Sequence, residues 1–225
     1  MVLGDGFLDR TIAKENSRIR LQHSNKQRDY CLWKSEMLKY LTNITIIEDK
    51  KVNAVRIQSS RHPFYTRLRE WVYVSSRKTV TEHALKIITP LGIAIWYMDD
   101  GCFCKSGRWV DDYSVQLYTN SFSEAENNLI QYYFKKKWGV DWTVYSKNER
   151  GEKHYFLSLR NTKAQRKIDT FFSLIRPYIH KSMLYKLGTD ESNLENEVSD
   201  IGRTVLKNTE VDRNINSTSE CLLVT

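Results

Sequence analysis

The sequence predicts an α+β protein of two pseudo-symmetric halves, each αββαββα-like with an antiparallel sheet, over residues 1–86 and 87–188. Three observations lead there. Residues 17–24, 53–59 and 114–120 alternate polar and apolar, as half-buried strands do. Stretches of helical periodicity separate them, and the same order of elements occurs twice. No strong sequence identity links the two copies, so the symmetry is one of pattern.

In the first half, Ile19, Leu21 and His23 share one face of a strand, and Arg18, Arg20 and Gln22 the other. Lys26 to Leu41 then reads as an amphipathic helix, with Tyr30, Trp33, Met37 and Leu41 along its apolar stripe. Thr45 to Ile47 and Asn53 to Ser59 predict a hairpin around Glu48-Asp49-Lys50-Lys51, with Val55 and Ile57 inward and Arg56 and Gln58 outward. Phe64 to Val74 predicts a second amphipathic helix, and the basic pair Arg77-Lys78 follows in a loop.

The second half opens on Thr89 to Gly101. Thr89 suits a helix N-cap and Pro90 the first helical position, where a missing N–H costs nothing. Leu91 to Met98 is apolar nearly all round, so that helix is buried on most sides. It ends in Asp99-Asp100-Gly101, two carboxylates at the negative end of the helix dipole. A divalent cation is the natural compensation. Ser114 to Asn120 predicts a strand exposing Ser114, Gln116, Tyr118 and Asn120. Ser123 to Glu126 is a capping box for a helix through Lys137, stopped by Gly139. Asp141 to Lys147 and Lys153 to Arg160 form a second hairpin, and Thr162 to Ile175 a last helix ending near Pro177.

The chain of 225 residues carries a net charge of +8, distributed unevenly. Residues 189–225 hold three basic and eight acidic residues, which leaves 32 basic against 19 acidic in the rest. We expect that tail to be a flexible acidic extension, and the basic body to meet a polyanion. No window is apolar enough for a membrane span and no signal peptide is visible. The cysteines Cys31, Cys102, Cys104 and Cys221 form no disulfide framework and imply thiols in a reducing compartment, an organelle such as the mitochondrion or a phage or bacterial cytoplasm. Cys102-Phe103-Cys104 has no second Cys/His pair at finger-like spacing, which excludes a zinc finger.

Ile93-Ala94-Ile95-Trp96-Tyr97-Met98-Asp99-Asp100-Gly101 resembles the nine-residue signature of the LAGLIDADG homing endonucleases, with a typical lead in Ile88-Thr89-Pro90. A second, shorter copy stands at Met1 to Leu8, where Leu3-Gly4-Asp5-Gly6 is similar to the end of the family's first signature helix. Arg77-Lys78-Thr79-Val80 and Met183-Leu184-Tyr185-Lys186-Leu187 are similar to the single-chain, mitochondrial-intron type. In the family the first helix has roughly two more turns before its acid. The expectation is therefore an upstream start, or a degenerate or split copy.

The resemblance implies a site-specific double-strand DNA endonuclease that spreads an intron or other mobile element, monomeric, with a long recognition site and Mg²⁺ (or Mn²⁺) as cofactor. It implies two signature helices side by side, Asp5 and Asp100 as catalytic and metal-holding carboxylates, and Lys78 and Lys186 beside them to hold water or phosphate. Gly4 and Asp99 adjoin the metal, Asp99 turned about 100° from Asp100 on the helix and therefore a supporting residue. The sheets would form a saddle over DNA, with Arg18, Arg20, Gln22, Arg56, Gln58, Gln116, Tyr118 and Asn120 facing it; Arg and Gln make bidentate contacts to guanine and adenine. The alternative is an RNA maturase that binds intron RNA, or an inactive remnant, on the same fold.

Overall fold

A computed structural model describes residues 1–10, 15–105, 113–162 and 165–189. The acidic extension from 190 onward lies outside the described residues. Alternation of side chains builds two four-stranded antiparallel sheets. The first consists of β1 (Phe7–Asp9), β2 (Arg18–Ser24), β3 (Ile44–Asp49) and β4 (Ala54–Ser59), in the order β1-β2-β4-β3. The second consists of β7 (Gly101–Lys105), β8 (Tyr113–Tyr118), β9 (Thr143–Glu149) and β10 (Glu152–Arg160), in the order β7-β8-β10-β9. The two orders are the same, which is the doubling that the repeated pattern predicted. A two-residue pair, β5 (Tyr73–Val74) with β6 (Arg77–Lys78), turns the chain between the halves through Ser75 and Ser76 at positive φ.

Helices cover one face of each sheet. α1 (Arg28–Lys39) packs on β2 and β4, and α2 (Pro63–Val72) on β1 and β2. After α3 (Glu82–Ile87), α4 (Pro90–Asp100) runs through the centre of the larger core, with Ile93 to Met98 all buried. The Tyr97 ring lies edge-on to Phe171, centroids 5.3 Å apart, on α6 (Lys167–Ile175). α5 (Glu124–Trp138) packs on β9 and β10. The Ser123–Glu126 capping box is formed in both directions, and Gly139 closes the helix in the left-handed conformation at φ 68°.

Several expectations shift. β1 and β7 are strands that periodicity did not reveal, because three to five residues beside a glycine carry too little pattern. The first helix starts at Arg28, behind a 3₁₀ turn at Asn25–Gln27, and Leu41 lies beyond its end, 38 % exposed. The last helix starts at Lys167. Ser114, expected to face outward, is buried between Cys104 and Arg160 of the neighbouring strands. Met1 to Gly6 forms a single turn, closed by the Gly6 N–H on the Met1 carbonyl at 3.0 Å.

Candidate active site and nucleic-acid face

Three aspartates meet where the amino-terminal turn touches the end of α4. Thr89 caps that helix, its hydroxyl accepting the Gly92 N–H at 3.2 Å, and Pro90 follows it. The helix ends at Asp100, and only glycine fits next, since a Cβ on residue 101 would lie 2.1 Å from the Tyr97 ring as β7 leaves. On the other side, a Cβ at Gly4 would lie 2.5 Å from Asp99 Oδ2. That contact brings the turn against α4, and the Asp5 N–H donates to the same oxygen at 3.1 Å.

The carboxylates feel one another. Burial, then the charges of Asp5 and Asp99, push Asp100 up to about 7, against the pull of Lys78 and Lys186. Both lysines are lowered by burial, while the three aspartates act in the opposite direction. Their anchors are related by the pseudo-symmetry. Lys78 donates to the Gly4 carbonyl at 2.7 Å, and Lys186 to the carbonyls of Met98 and Asp99 at 2.5 and 3.2 Å. Each lysine thus holds the main chain immediately before an acid.

Beneath the acids lies a group that sequence reasoning missed. Lys34 of α1 has a fully buried ammonium paired with Asp99 Oδ1, and it donates to His23 Nε2 at 3.0 Å. An ammonium can only donate, so Nε2 accepts and the proton resides on Nδ1, which donates to Gln27 Oε1 at 3.0 Å. Burial and Lys34 both lower the His23 pKa, in keeping with a neutral ring. The Tyr30 hydroxyl donates to Asp99 Oδ1 at 2.8 Å. Asp5, His23 and Asp99 carry candidate ligand atoms within 4.8 Å of one another. Lys34 already contacts two of those three residues, His23 and Asp99.

The strand face begins at the acids. A hollow of about 360 Å³ is lined by Asp5, Phe7, Arg20, Leu21, Gln22, Arg56 and Gln58. Phe7, Arg20, Gln58 and Thr45 lie in one cross-strand row, and Gln22, Arg56 and Ile47 in another. Arg18 and Arg20 both pair with Asp9 at 3.0 Å, and Arg56 grips Gln22 Oε1 through Nε and Nη2 at 3.1 and 2.9 Å. In the second sheet Gln116 is half-buried beside Cys102 and Ser158, and Tyr118 and Asn120 are exposed. Tyr118 adjoins Phe156, which stacks on Tyr145 at 5.7 Å, so this face is aromatic where the first is Arg/Gln. The signal for Tyr145 and Phe156 was their cross-strand register, which sequence alone does not reveal.

Known proteins similar to this chain identify its family and fold. The sequence model of the LAGLIDADG DNA endonuclease family matches residues 1–166. The chain is 29 % identical over 194 residues to Protein RecA of Mycolicibacterium flavescens, covering 83 % of this chain and 44 % of that protein. It is 24 % identical over 208 residues to the cytochrome b mRNA maturase bI2 of Saccharomyces cerevisiae, covering 83 % and 45 %. The chain therefore spans less than half the length of these relatives. Among solved structures, the homing endonuclease I-WcaI bound to its DNA recognition sequence superposes with a TM-score of 0.65 at 18 % identity, over 83 % of this chain and 81 % of that one. Mesophilic variants of the homing endonuclease I-DmoI give 0.51 at 11 % identity, over 77 % and 89 %. With the doubled sheet order, the paired acids and a family match over most of its length, the chain belongs to the LAGLIDADG DNA endonuclease family.

Proposed function

We propose that this chain is a site-specific double-strand DNA endonuclease that uses Mg²⁺ to hydrolyse phosphodiester bonds and spreads a mobile element. One observation carries the reading: Asp5 lines the same hollow as Arg20, Gln22, Arg56 and Gln58, so an acid of the cluster adjoins the side chains suited to base edges. A duplex lying on this face brings its backbone to the aspartates.

The donor set suits a hard divalent cation, being carboxylate and carbonyl oxygen. Burial and the charges of Asp5 and Asp99 raise Asp100, and a cation bound there would act in the opposite direction. Asp5 and Asp100 would hold the ion, with the carbonyls of Gly4 and Asp99 adjoining. Such an ion, when bound, supplies Lewis-acid neutralisation of the phosphate and lowers the pKa of water. Lys78 and Lys186 add positive charge on either side, and their remaining N–H bonds can hold a water or a non-bridging phosphate oxygen. Their anchors on the main chain fix them relative to Asp5 and Asp100.

The test is selection of a bound duplex from a random library, followed by incubation with and without Mg²⁺. A double-strand break that needs Mg²⁺ is the expected result. A chain that binds no duplex but retains structured RNA would favour a maturase, the reading that the likeness to the yeast mRNA maturase supports. The raised Asp100 also predicts a pH effect. Its folded pKa, about 7, lies above the ordinary aspartate value of 3.8, so in EDTA its contribution to stability is full below about 4 and is lost as pH rises to about 7. Mn²⁺ should therefore raise the melting temperature more at pH 8 than at pH 6; an equal rise at both would place the ion elsewhere.

A further inference from the structure

Burying a lysine completely is unfavourable unless its ammonium finds charge and acceptors. Lys34 finds both in Asp99 and His23, with the Tyr30 ring 4.3 Å from the ammonium. The other oxygen of Asp99 accepts the main-chain N–H of Asp5, a contact that spans 94 positions of sequence. Asp99 is also the covalent neighbour of Asp100. Its carboxylate therefore joins the backbone of one acid to the backbone of the other. Gly4 leaves the room for that contact, and Lys34 and the Tyr30 hydroxyl hold the opposite oxygen.

We propose that Lys34 and Asp99 are positioning residues: the ammonium fixes Asp99 so that its second oxygen ties the main chain of Asp5 to that of Asp100. Neither side chain touches the DNA in this role. The proposal rests on the endonuclease reading, but cation capture tests it without cutting. If Lys34 served only to balance a buried carboxylate, removing both charges together would restore function whatever replaced Asp99. If Asp99 is the tie, the replacement must still accept the Asp5 N–H.

Two double variants separate these roles. Lys34→Met/Asp99→Asn removes both charges and keeps an acceptor oxygen, whereas Lys34→Met/Asp99→Leu keeps the volume and loses the acceptor. Each is measured for thermal unfolding, for Mn²⁺ binding by electron paramagnetic resonance, and for DNA affinity and single-turnover cleavage in Mg²⁺. We expect similar melting temperatures and DNA dissociation constants in the two. The leucine variant should bind Mn²⁺ at least about tenfold more weakly than the asparagine variant, as when a ligand's supporting partner is lost. It should cleave about 10²-fold more slowly, the cost of a small misplacement of reacting groups. Equal Mn²⁺ affinity and equal rates would overturn the tie, as would Mn²⁺ binding that ignores Asp100→Asn. Should the leucine variant not fold, Lys34→Met/Asp99→Ala takes its place with the same expectations. Should the wild type cut no DNA, the endonuclease reading fails and the Mn²⁺ comparison still decides the tie.

Discussion

Asp100→Asn is expected to leave DNA binding close to wild type and to lower Mg²⁺-dependent cleavage by at least about 10³-fold. That exceeds the 10- to 100-fold that follows loss of a metal ligand's supporting partner, because a ligand itself is removed. Asparagine matches aspartate in shape, so the end of α4 and the exit through Gly101 stay as they are. Only the charge goes, and with it the cost of burying that charge and its repulsion from Asp5 and Asp99, which together raise Asp100 to about 7. In EDTA near pH 8 the variant should therefore melt no lower than the wild type, which distinguishes lost chemistry from lost folding. Gel-shift affinity, melting curves and the rate of duplex breakage read the three quantities. Undiminished cutting would remove Asp100 from the active site.

Affinity for the selected duplex should fall about 10³- to 10⁵-fold between 50 and 200 mM salt, if six to ten phosphates are met. The excess of basic residues outside 189–225 supports a footprint of that size. Exposed Lys50 and Lys51 stand at the hairpin tip of the first sheet, and exposed Arg150 and Lys153 at that of the second. Corresponding corners of the two halves thus carry exposed basic charge suited to a phosphate backbone. Anisotropy titrations at stepped KCl concentrations measure the slope. A nearly flat line would mean that the sheets do not lie on a nucleic-acid backbone.

Much of the fold was legible because it rests on periodicity. Ile19, Leu21 and His23 alternate with Arg18, Arg20 and Gln22, and the buried face of β2 follows from that alone. Thr89, Pro90 and Gly101 mark both ends of α4. The capping box and Gly139 do the same for α5. Strand order was not legible, because alternation shows which face is buried and not which strands are neighbours, and β1 was too short to announce itself. Lys34 was hidden for another reason. Among Arg28, Lys34 and Lys39 on one helix, nothing local distinguishes a lysine turned onto the end of α4 from two turned to solvent. Its partner Asp99 is 65 residues away, so the pair exists only once both halves have folded together. His23 lay on the buried face in the sequence pattern, but its neighbours Lys34 and Gln27 come from the following turn and helix.

Asp9 bears on how such a protein would search a genome. Its single carboxylate engages Nε of Arg18 and one Nη of Arg20, so a duplex drawing on those same N–H groups would compete with it. Every sequence meets that competition, and only a matched one returns base contacts in exchange. Residence on wrong sequences would be shortened, and the time spent scanning each of them with it.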